Sequence, residues 1–77
     1  MKWVLLVVLM YPEGSIDKVM NRASGWEDRI KCNEFIESNH SMITESVKTH
    51  FAMPQGTALM GIGCFQPLTN QEYMVKY

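Results

Sequence analysis

Apolar positions fall into four stretches along the chain, each with its own spacing. Trp3 to Tyr11 is an unbroken apolar run. It is too short for a membrane-spanning helix, which needs about 20 apolar residues. It is rich in β-branched and aromatic side chains, which favour extended structure. Lys2 and the length of the run also fit the core of an export signal, but no small-x-small cleavage site follows. A strand is therefore expected, apolar on both faces and so central in its sheet. Pro12-Glu13-Gly14-Ser15 reads as a turn. Ile16 to Arg22 alternates imperfectly and reads as a second, more polar strand returning along the first.

The third stretch has helical spacing. Ser24-Gly25-Trp26-Glu27 matches a capping box, with Ser24 as N-cap and Glu27 as the acid three positions on. On a helical wheel Trp26, Ile30, Ile36, Ile43, Val47 and Phe51 share one broad sector, with Cys32 at its edge. Phe35 and Met42 break the pattern by projecting towards the polar side. Ser38-Asn39-His40-Ser41 holds poor helix formers and predicts a kink or restart near Ser41. Pro54-Gln55-Gly56 ends the helix. Thr57 to Phe65 then has strand length, with Ala58, Met60, Ile62 and Cys64 on one face and Leu59, Gly61, Gly63 and Phe65 on the other. Pro67 stops it, and residues 66–77 read as a polar tail.

These elements predict a single small α+β domain over residues 1–77, in the order ββαβ. A right-handed crossover through the helix leaves the second and third strands parallel. Placing the first strand between them makes each neighbouring pair antiparallel. The expectation is a three-stranded antiparallel sheet of order 2-1-3, with one helix on one face. The opposite face would then be bare. Trp3, Leu5, Val7, Leu59 and Phe65 are the candidate interface residues there, covered by a second copy or by another protein.

Composition narrows the function classes. Hydrophobic residues are 47% and charged residues 19% of the chain, which separates it from disordered sequences. Seven basic residues stand against eight acidic ones without any run of like charge. Nucleic-acid binding, which needs a basic patch or stripe, is not expected. The chain is short enough to gain from a staple. Cys32 and Cys64 fall where helix and third strand should face each other, so a disulfide between them is expected. Two reduced, buried cysteines are the simpler alternative. Zinc from Cys32, Cys64, His40 and His50 is not expected, because structural sites use closely spaced pairs and these are isolated. No cofactor is expected either. Gly61-x-Gly63 lacks the third glycine and following helix of a phosphate loop, and reads instead as a place for close packing. The seven methionines read as core filler before they read as an adaptable surface. Glu13 and Asp17 read as solvated turn residues.

The opening Met1-Lys2-Trp3-Val4-Leu5, a helix cysteine in "EDRIKCNEF" and a late-strand cysteine in "GCFQP" resemble a group of short bacteriophage proteins, many from marine phages. This chain departs from them in a longer segment between helix and last strand, and in a tail beyond Pro67. The resemblance implies a virus-encoded accessory protein acting in an infected bacterium, and carries over no catalytic residue. With no acid–base or nucleophile constellation, the expected function is a non-enzymatic protein-interaction module, a homodimer or a binder of a host protein. The alternative is an exported or envelope-associated protein with an uncleaved hydrophobic opening. Host cytoplasm and periplasm both remain open as its location.

Overall fold

The computed structural model describes residues 2–50 and 55–76, with only the backbone of residues 23, 24 and 50. Five elements follow one another: β1 (Trp3–Met10), β2 (Ile16–Trp26), α1 (Arg29–His50), β3 (Ala58–Gln66) and β4 (Gln71–Lys76). The fold is α+β. The sheet runs β2-β1-β3-β4, and every neighbouring pair is antiparallel. Expectation and structure differ in strand number: the order is ββαββ, because the supposed polar tail supplies β4. Asn70 makes the reversal possible. Its φ of 57° lies in the left-handed region, which asparagine tolerates better than most residues. It thereby sets Gln71 opposite Gln66.

β1 is central, between β2 and β3, and its alternate residues serve two different cores. On the helix side, Val7 and Leu9 join Cys32, Ile36, Ile43, Val47, Ile62 and Cys64. On the other side Val4 and Leu6 join Phe65, with Val8, Met20 and Met74 packed around them. The register explains this division. Leu5 stands opposite Cys64 and Val7 opposite Ile62, so the odd residues of β1 share the cysteine's face.

The helix begins later than its sequence pattern suggests. Ser24 lies within β2, which continues until Trp26 pairs with Trp3. Asp28 is the N-cap: the Ile30 amide donates to its Oδ1 at 2.9 Å, and the Lys31 amide to its carbonyl at 3.1 Å. Trp26 instead packs its ring against Phe35, centroids 5.1 Å apart. Counting Trp26 as helical drew the expected apolar sector towards Ile30, which is 58% exposed. The buried stripe is Cys32, Ile36, Ile43 and Val47, centred on the cysteine. Phe51 lies outside the described residues. Asn39, with φ −130° and ψ 18°, kinks the helix inside the stretch of poor helix formers. Its side-chain amide donates to the Phe35 carbonyl at 2.9 Å.

Cys32 and Cys64 are joined by a disulfide across 32 residues, with their Cα atoms 6.3 Å apart and both side chains wholly buried. Two stability outcomes are expected. Asp28→Ala should lower the unfolding free energy by about 1 kcal/mol, the usual worth of an N-cap. The double variant Cys32→Ala/Cys64→Ala should lower it by about 3–4 kcal/mol, from the entropy that a closed loop of this length removes from the unfolded chain. Urea denaturation followed by circular dichroism measures both.

Candidate functional site

Three contacts hold α1 over one half of the sheet. The disulfide ties it to β3. The Arg29 guanidinium lies 3.9 Å from the ring centroid of Tyr73 on β4, and Lys76 of β4 pairs with Glu37 at 3.4 Å. All three fall on the β3–β4 side. A helix with side chains is about 10 Å across, whereas the outer strands of a flat four-stranded sheet lie roughly 14 Å apart. One helix held to that side leaves the β1–β2 half partly uncovered.

A cleft of about 650 Å³ occupies the gap. Its floor is Leu5 and Val7 of β1 and Val19 of β2, and Trp26 also lines it. The helix wall is Phe35, Met42, Ile43, Ser46 and Val47. Phe35 and Met42 are the two apolar residues that sit off the core sector, about a quarter-turn from Ile36 and Ile43. Their placement is the sequence signal for this cleft. Asn21 and Arg22 of β2 supply polar lining, and Arg22 is the single charged residue among the described residues that line it. A pocket of this size, mostly apolar with a few polar groups, is of the kind that binds a ligand or an anchoring side-chain cluster.

The expected interface does not form one surface. Trp3, Leu5, Val7 and Leu59 all pack on the helix side, and only Phe65 lies on the opposite face. Leu59 changes side because the β1–β3 register shifts between Val8 and Leu9: Val8 stands opposite Gly61 but Leu9 opposite Leu59, leaving Met60 as the extra residue. Leu5 and Val7 do line the cleft.

Nor is the face away from the helix bare. Leu6 has no exposed surface and Val4 is 3% exposed. The sheet itself covers them by curling. Lys18 on β2 and Glu72 on β4 form an ion pair at 3.0 Å although two strands separate theirs. Gly63 marks the fold of the curl. A Cβ there would run into the Tyr73 carbonyl oxygen and approach the Met74 Cα to 2.9 Å. The close neighbour that this glycine accommodates is thus the backbone of β4.

The remaining candidate groups do not converge. Both cysteines are bonded, so neither is a nucleophile or a thiolate ligand. His40 is exposed on α1. Among the described residues no three His, Cys, Asp or Glu side chains lie close enough to hold a metal. No described helix is long and apolar enough to cross a membrane. The turn after β1 holds two ionisable groups shifted from their ordinary values. Tyr11 donates to Asp17 at 3.0 Å, and this bond to a carboxylate raises the phenol above its ordinary value of 10.0. Ser15 donates to Glu13 at 2.6 Å and lowers its carboxyl. Glu13 and Asp17 thus brace the turn rather than standing solvated and unengaged. Neither lines the cleft. No family model, curated protein or solved structure matches the chain.

Gly63→Ala should destabilise the fold by about 1–3 kcal/mol, because the added methyl meets backbone that cannot swing aside. Gly14→Ala is no control, since Gly14 has a φ of 97° and would be strained for a different reason. A denaturation midpoint for Gly63→Ala equal to that of the parent would show that β4 does not fold over this position.

Proposed function

We propose that this protein is a non-enzymatic interaction module that holds a partner protein in the cleft between α1 and β2. The observation that carries the reading is the cleft itself. It is an apolar recess of about 650 Å³, bounded by the helix wall, β1 and β2, in a chain whose cysteines are both committed to a bond. Met42 is 53% exposed at its edge, and a flexible thioether suits an adaptable contact. The resemblance of the opening and the two cysteine segments to small phage proteins supports a virus-encoded accessory role, with a bacterial protein as the partner.

The disulfide favours a second element of the reading, an oxidising compartment, since such bonds persist outside the reducing cytosol. An exported protein fits that better than a membrane-anchored one. β1 is the central strand, and burying Trp3–Met10 in a bilayer would remove the core of both faces.

Met42→Glu and Ser46→Arg place charge on the helix wall at exposed positions and should leave the melting temperature within a few degrees of the parent. Both should abolish capture of a partner from periplasmic extract by the tagged, oxidised chain. Ile30→Glu, at an exposed apolar residue that does not line the cleft, should leave capture intact. Capture that survives both cleft variants would place the interaction elsewhere on the molecule.

A further inference from the structure

We propose that the occupant of the cleft is an acidic amphipathic α-helix of the partner, laid beside α1 over β1 and β2 with a carboxylate on Arg22. The inference rests on the interaction reading above and specifies what the partner presents. Width is the first argument. Packed helices stand about 8–10 Å apart, so a helix beside α1 on its β2 flank would lie over the uncovered strands. α1 presents Phe35, Met42 and Ser46 along that flank, at spacings of seven and four residues, which is the repeat of a helix-packing seam. Ser46 is small enough to admit close approach. Val7 and Val19 offer the flat apolar floor on which the second helix would rest.

Charge is the second argument. Among the described residues, Arg22 is the single charged group lining the cleft, and no carboxylate pairs with it. A guanidinium recognises a carboxylate through two parallel hydrogen bonds, so the complementary helix carries Asp or Glu beside its apolar stripe. Other occupants fit less well. A strand added to β2 would meet an edge whose register with β1 breaks between Leu5 and Trp3, and which carries the charges of Asp17, Lys18 and Arg22. Such features disfavour edge pairing. A second copy has no spare helix to give, because its α1 is already bonded to its own sheet.

Three synthetic peptides of about sixteen residues, roughly 24 Å as a helix, test the idea against the isotope-labelled, oxidised full chain. All share an apolar stripe at helical spacing. The first carries Glu beside the stripe, the second Lys in the same places, and the third is the acidic peptide with two central prolines. The acidic peptide should shift the methyl resonances of Val19, Met42 and Val47 and bind at least about tenfold more tightly than the basic one. Arg22→Glu should reverse that order, and the proline peptide should not bind. Equal affinity for the acidic and basic peptides would overturn the acidic helix while leaving the interaction reading in place. Equal binding of the proline peptide would overturn the helical form. Cleft shifts that grow with protein concentration, without peptide, would overturn it in favour of a second copy. If no peptide moves these methyls the helix occupant fails, and the capture experiment judges the interaction reading separately.

Discussion

The bond between Cys32 and Cys64 fixes where the helix lies, and most of the structure follows from that position. It joins α1 to β3, the member of the central strand pair that lies next to β4. Cys64 stands opposite Leu5, so the bond also selects which face of β1 becomes the helix side. Cys32 sits in the buried stripe with Ile36, Ile43 and Val47, and its attachment sets the rotation of the helix about its own axis. That rotation turns Glu37 towards Lys76 on β4 and leaves Phe35 and Met42 on the β2 flank. An apolar pair in place of the cysteines could supply burial but not this fixed offset, because the hydrophobic effect has no direction. The cleft is the space that the offset creates.

The other face shows how one small chain avoids leaving half of a sheet exposed. A sheet with a single helix needs cover on its second side. Here the sheet covers itself. Gly63 in β3 removes the side chain that would hold β4 away, and the backbone of β4 closes over it. Met20 and Met74 fill the space around Leu6 from the two outer strands, and Lys18 and Glu72 meet above. The ion pair is half-exposed and contributes little on its own, as surface pairs generally do. Its value is as a sign of curvature: its two strands flank the central pair, and a flat sheet would hold them about 14 Å apart.

Much of this was legible in the sequence, and the failures share a physical cause. β1 announced itself through its two-sided apolar content, the helix through its spacing, and the disulfide through the small size of the chain. β4 was hidden because its turn uses Pro67 and Asn70 rather than glycine, and because Gln71-Glu72-Tyr73 reads as solvated chain. The Ser24 capping pattern is locally sound, but pairing of Trp26 with Trp3 holds that segment in β2. Tertiary contact overrode a local preference. The composition of the supposed interface failed for a similar reason. A single shifted residue in β3 reverses the faces of everything before it, and no property of Met60 marks it as the shift. Phe35 and Met42 teach the opposite lesson, since two departures from an amphipathic pattern pointed directly to the cleft.

The same helix gives the cleft two stretches of wall that are held in different ways. Before Asn39, α1 is held by the disulfide, the Arg29–Tyr73 stack and the Glu37 ion pair, and Phe35 is packed against Trp26. After Asn39, it is held to the sheet by the burial of Ile43 and Val47. The non-helical backbone at Asn39 separates these two regimes and is the natural pivot between them. On the proposed interaction reading, Phe35 would stand in place before a partner arrives, which would reduce the ordering entropy that binding must overcome. Met42, beyond the kink, lies on the half held by burial alone, and its side chain has three rotatable bonds. Discrimination there would, on the same reading, come from the shape of the cleft and from the Arg22 guanidinium.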